Sequence, residues 1–167
     1  MKIKVSIIVF AVSVLCFGTA YGQADFVSLT SSQLIKGLKD KDKLRTALTE
    51  DGFTLVKESK IYTRKTGLYE YWQYKYMIFI DVLYNPSMEN YIIVRVNKDY
   101  SEFSERLIQT FPYKRNQEYD NHLEHLKYSH INKETPYTLK YSKDGDNTGV
   151  DIWFEEPFYY FQYTTWK

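Results

Sequence analysis

Tyr69-Glu70-Tyr71-Trp72-Gln73-Tyr74-Lys75-Tyr76-Met77-Ile78-Phe79-Ile80-Asp81-Val82-Leu83-Tyr84 is where the apolar period of the chain settles at two. Side chains of an extended backbone point alternately to opposite faces, so Trp72, Tyr74, Tyr76, Ile78, Ile80, Val82 and Tyr84 share one side. Tyr69, Tyr71, Gln73, Lys75, Met77 and Phe79 share the other. The spacing predicts one long strand over 69–84. Asn85-Pro86-Ser87 turns the chain, and Ile92, Val94 and Val96, alternating with Tyr91, Ile93 and Arg95, predict the strand that pairs back.

Upstream, Leu29, Thr30 and Gln33 carry the marks of a helix start. Thr30 is the N-cap, Gln33 reaches back to it, and Leu29 staples onto Leu34. Leu34, Ile35 and Leu38 form one apolar stripe, Asp40 or Asp42 restarts the helix, and Leu44, Ala47 and Leu48 form a second stripe that ends at Asp51-Gly52. Phe53, Leu55 and Ile61 mark a first strand. Downstream, Asp99 with Glu102 caps a helix carrying Phe103, Leu107, Ile108 and Phe111, which Pro112 stops. Residues 116–130 suit a helix through Tyr119, Leu123 and Leu126, or a strand through Leu126, Tyr128 and His130; a strand over 124–130 is expected. Tyr137, Leu139 and Tyr141 alternate, 144–149 is a turn, Val150, Ile152 and Phe154 alternate again, and an aromatic strand follows Pro157.

Helix then strands, twice over and with short connections, predicts an α+β domain in which helices pack on one face of an antiparallel sheet, as two degenerate helix-plus-strands units. Leu29-Thr30, the helical stretch through Leu48, Gly52-Phe53 and the closing aromatic strand together resemble small exported proteins of Bacteroidota-type bacteria whose function is not established. The resemblance carries over no site.

Lys2 and Lys4, an uncharged run over 5–17, and the small residues Ala20 and Gly22 before Gln23 have the form of a secretory signal peptide over 1–22. Thirteen residues of helix span about 20 Å, short of the roughly 30 Å hydrocarbon core. The expectation is a single domain over 23–167, periplasmic or secreted, with no membrane attachment after cleavage. The one cysteine, Cys16, leaves with that segment, and no glycosylation acceptor follows it, which favours a bacterial envelope. Losing Lys2 and Lys4 turns the formal charge of +1 into −1, so no electrostatic case exists for a nucleic acid partner.

Two motifs invite metal chemistry. Asp144, Asp146, Thr148 and Glu155 fill the first, third, fifth and twelfth places of an EF-hand-type calcium loop with Gly149 at the sixth, although Asp151 takes a place normally aliphatic; an Asp-Gly hairpin loop explains the same residues. His122, His125 and His130 lie near Glu124, with no third ligand fixed. No cofactor is expected. Thiol, nucleophile-elbow, phosphate-loop and zincin motifs are absent, and Glu155 and Glu156, being adjacent, point to opposite faces of a strand.

What remains is the second face of the sheet. A one-sided sheet should turn polar residues outward, yet here it turns Tyr69, Tyr71, Lys75, Tyr91 and Arg95. Tyrosine and arginine supply rigid area with a polar tip, the composition of binding hot spots. The function expected is a non-catalytic interaction module of the bacterial envelope, binding a protein or glycan through this face. Its rival is a small envelope glycan hydrolase built on carboxylates from separate strands, such as Asp81 with Asp151. Cleavage after Gly22 sets Gln23 as the mature amino terminus. Intact-mass measurement of secreted material should therefore show residues 1–22 gone and no lipid adduct on Cys16.

Overall fold

The computed structural model describes residues 27–62, 66–86, 89–112, 131–134, 136–143 and 146–166. The expected signal segment, the strand over 124–130 with its neighbouring histidines, and Asp144 lie outside them. Two helices, α1 (Ser31–Gly37) and α2 (Lys41–Glu50), precede strands β1 (Thr54–Tyr62), β2 (Thr66–Tyr74), β3 (Ile78–Tyr84) and β4 (Tyr91–Asn97). Helix α3 (Ser101–Gln109) leads on to β5 (Tyr137–Lys143), β6 (Asp146–Glu155) and β7 (Phe158–Trp166). Two antiparallel meanders join where β4 pairs with β7, giving one seven-stranded sheet in the order β1-β2-β3-β4-β7-β6-β5. The class is α+β, as the periodicity implied.

The expected caps form. Gln33 N donates to Thr30 Oγ1 at 3.3 Å and Thr30 N donates to Gln33 Oε1 at 2.8 Å, a reciprocal capping box. Asp40, not Asp42, restarts the helix by accepting from Lys43 N at 3.1 Å. Helix α2 ends in a Schellman turn: Phe53 N donates to Leu48 O and Gly52 N to Thr49 O, with Gly52 at φ +80 where a side chain would be strained. A Cβ on Gly37 would lie 2.8 Å from Leu44 Cβ, so the close packing of α1 on α2 needs that glycine.

Three local expectations are corrected. Residues 69–84 are two strands, not one, because Lys75 and Tyr76 adopt φ 44 and 56 and Met77 N donates to Tyr74 O at 2.9 Å, the backbone of a primed hairpin turn. The faces survive in both arms because Tyr74 pairs with Ile78: the sum of paired numbers stays even, so even residues remain on one side; in the turn itself they do not, since Tyr76 is exposed and Met77 packs against the core. Asp99 does not cap α3; Asn97 accepts from Asp99 N at 3.0 Å to open a short 3-10 turn, and α3 begins after Tyr100 with no side-chain cap. Residues 146–149 belong to β6, paired with β5 and β7, and are not part of a turn.

One face of the sheet is the core. Ile78, Ile80, Val82, Ile92, Val94, Val96, Ile152, Phe161 and Tyr163 are buried there beneath Leu34, Leu44 and Leu48 of α1 and α2 and Phe103, Leu107 and Ile108 of α3. Each fully buried aliphatic or aromatic side chain contributes about 1.5–3 kcal/mol to folding. Polar ties then orient the helices. Fully buried Glu70 accepts from Arg45 Nε of α2 at 2.7 Å and from Trp72 Nε1 at 2.9 Å, and the same guanidinium bridges to Glu58 of β1. Ser31 of α1 donates to Leu107 O of α3 and receives the Tyr163 hydroxyl of β7 at 2.6 Å. Tyr84 donates to Gly37 O at 3.0 Å and Asn90 Nδ2 to Leu38 O at 2.7 Å, which pins the α1–α2 corner to the β3–β4 connection.

Two predictions follow from these ties. Arg45→Met strands the Glu70 carboxylate in the core and should cost about 3–5 kcal/mol, read as a lowered urea midpoint. Adding Glu70→Leu should recover part of the loss, since no buried carboxylate then lacks a partner, although Trp72 Nε1 is left without its acceptor. The second concerns alkaline pH. Burial pushes the Tyr84 and Tyr163 phenols above their ordinary 10.0. Their contribution is complete below pH 10 and falls as pH rises beyond it, by about 1.4 kcal/mol per pH unit for each tyrosine. Denaturant midpoints should be flat up to pH 10 and then drop, and Tyr163→Phe should make the drop shallower.

Candidate functional site

The odd-numbered residues of β2, β3, β4 and β6 and the even-numbered residues of β7 make the second face, and among the described residues no helix packs on it. The register lays its side chains in rows across the sheet. One row runs Gln73, Phe79, Arg95, Tyr160, Trp153. The next runs Tyr71, Asp81, Ile93, Gln162, Asp151, and a third runs Tyr69, Leu83, Tyr91, Thr164. Most of these residues are half-buried, in contrast to the closed opposite face.

Arg95 and Asp81 hold the centre. Arg95 Nη2 donates to Asp81 Oδ2 at 3.0 Å, and the Tyr69 hydroxyl donates to Asp81 Oδ1, so both carboxylate oxygens are engaged. The guanidinium lies 5.6 Å from the Tyr71 ring centre and 5.2 Å from that of Phe79, within cation–π range of both. Tyr71 and Phe79 are parallel at 6.2 Å, Phe158 meets Phe79 edge-on at 5.6 Å, and Tyr160 stacks on Trp153 at 5.0 Å. Burial and the neighbouring Asp81 carboxylate raise the Tyr69 phenol, and burial raises Tyr160. Both phenols thus stay neutral over the ordinary pH range, and Tyr69 keeps its proton for Asp81. Arg95 Nε and Trp153 Nε1 are buried and find no acceptor among the described residues.

Of the residues expected here, Tyr69, Tyr71 and Arg95 converge on Asp81. Tyr91 shares the face four residues from Arg95 along β4, roughly 13 Å at the strand rise. Lys75 does not join them, because it sits in the β2–β3 turn with its ammonium over Tyr74, 5.6 Å from the centre of a ring that belongs to the core face. Asp81, Phe79, Phe158 and Tyr160 join the site in the structure. Their parity was readable, but the pairing of β4 with β7 that gathers them was not.

The calcium-loop residues are dispersed. Asp146, Thr148 and Glu155 all lie on β6, with Thr148 buried and Glu155 at the far end, so an extended chain puts Glu155 roughly 30 Å from Asp146. Among the described residues no three His, Cys, Asp or Glu side chains group to hold a metal ion. Asp81 and Asp151 share a row but stand three strand spacings apart, roughly 14 Å, against the 5–10 Å that flanks a glycosidic bond. Thr138 donates to Asp151 at 2.5 Å. Clefts of about 460 Å³ beside α1 and α2 and about 300 Å³ beside Lys41, Thr66 and Asn90 lie away from the aromatic rows. No described helix is long and apolar enough to cross a membrane. No protein-family model matches the chain, nor does any curated protein or solved structure.

Proposed function

We propose that the protein is a non-catalytic interaction module of the bacterial envelope, exported by its amino-terminal segment, that binds a protein or glycan through the aromatic rows of the second sheet face. The observation that supports this reading is the half-exposed Tyr69, Tyr71, Phe79, Tyr91 and Tyr160 on a face that no described helix covers. A solvent-facing antiparallel surface would ordinarily be polar, and the mutual stacking of these rings leaves much of their area available for something to pack on. Arg95 is matched by Asp81, so the centre of the face has no surplus charge to draw a polyanion. Flat rings ringed by hydroxyl, amide and guanidinium groups suit a partner with apolar faces and hydrogen-bonding edges, as sugars and extended peptides have.

Co-sedimentation with isolated cell-wall sacculi and envelope polysaccharide, and cross-linking to envelope proteins in intact cells, provide the test. Tyr71→Ala and Tyr91→Ala should each weaken capture by about 5–30-fold, the loss of a hot-spot ring; the melting midpoint should move little for Tyr91→Ala and fall modestly, without unfolding, for Tyr71→Ala, whose ring also stacks on Phe79. If both variants unfold, the rings serve the core, and if both fold and bind as before, the face is not the binding surface. Either result removes the reading.

A further inference from the structure

Strand β1 forms one edge of the sheet and carries the large exposed apolar residues Leu55, Val56 and Tyr62, the last two 54% and 80% exposed. The unpaired backbone groups of such an edge template another strand, and Lys57 and Lys60 guard it against any strand that does not match their charge. Here the register with β2 shifts between Leu55 and Lys57, leaving Val56 as the extra residue and 57–62 as the regular stretch.

Consider two such edges meeting antiparallel about a two-fold axis normal to the sheet. Opposed residues must share a face, so the paired numbers have an even sum and the axis passes through a residue. An axis at Lys57, Glu58 or Lys60 sets like charges directly opposite one another, which is destabilising. An axis at Ser59 does the reverse. It sets Glu58 opposite the partner's Lys60 on both sides and Lys57 opposite the partner's Ile61. The regular stretch is thereby used from Lys57 to Ile61, and the irregularity at Val56 falls outside it. Glu58 already receives Arg45 on Oε2, which leaves its other oxygen for the incoming ammonium.

We propose that β1 is a homodimerisation edge: two copies of the chain pair antiparallel through 57–61 about Ser59, fixed by two Glu58–Lys60 ion pairs. The sheet then runs unbroken through both copies and puts the Tyr69 and Tyr71 rows of one beside those of the other. The dimer does not depend on what the aromatic face binds. A pairing of single strands lies at the small end of interfaces, so the association is reversible and dependent on concentration and salt.

Sedimentation equilibrium of the chain should show a monomer–dimer equilibrium. Lys60→Glu, at an exposed position, sets carboxylate against carboxylate on both sides of the axis and should weaken the dimer roughly tenfold or more. Glu58→Lys should do the same, and an equimolar mixture of the two variants, in which every opposed pair regains opposite charges, should restore it. In a Cys16→Ser background, Ser59→Cys should oxidise to a covalent dimer much faster than Lys140→Cys on the opposite edge, since residues facing each other across the axis lie within disulfide reach. A wild-type chain that stays monomeric at its highest soluble concentration, or a dimer indifferent to both charge reversals and to their mixing, would overturn the proposal.

Discussion

Side-chain parity across seven strands is the constraint on which the molecule depends. Ile80, Val94 and Phe161 face the helices because Asp81, Ile93 and Gln162 face away, and the ladders from β2 through β6 lock these choices together. A slip of one residue in β3 alone would drive Asp81 into the core beneath the helices and turn Ile78, Ile80 and Val82 outward. Burying that carboxylate without Arg95 would cost several kcal/mol on top of the lost apolar burial. The ion pair on the second face thus also guards the register of the first. Fold and candidate site are consequences of the same alternation.

A sheet with one apolar face does not say where its helices must lie, and a few buried polar groups do that here. Glu70 is the sharpest case, since it occupies a core-facing position and is tolerated there only because Arg45 reaches it from α2. The pair contributes little net stability over an apolar substitute, but removing either member alone is costly. Its effect is specificity: α2 must cross β2 where the guanidinium meets the carboxylate. Ser31 plays the corresponding part for α1 and α3 by accepting from Tyr163 while donating to Leu107.

Local chemistry made much of this legible in the sequence. Thr30 with Gln33, Asp40, and Asp51-Gly52 announced two helices with their ends, and the alternation in Trp72–Ile80 and Ile92–Val96 announced the buried face. The hairpin between β2 and β3 stayed hidden for a physical reason. Its tip is Lys75-Tyr76, where turn chemistry expects glycine or asparagine, and its odd loop length preserves the period of two, so nothing in the pattern marks the reversal. Asp99 and Glu102 imitated a capping box that the preceding Asn97 turn supplants. The second face was visible as a list of tyrosines but not as a constellation, because the β4–β7 pairing joins residues more than sixty positions apart and no local signal encodes it.

The strained tip bears on how the aromatic face is built. Two non-glycine residues at positive φ each cost about 1 kcal/mol or more, and this survives only where the surroundings enforce it. The enforcement comes from both sides of the sheet: Tyr74 packs on Phe53 in the core, and Tyr71 stacks on Phe79 outside. Moving the turn by a single residue to relieve the backbone would break both contacts and part Arg95 from its two rings. Ring stacking on the outer face therefore offsets strain at the hairpin tip. Tyr71 is in consequence both part of the surface offered to a partner and part of what holds that surface flat, whereas Tyr91, further along β4, has only the first role to play.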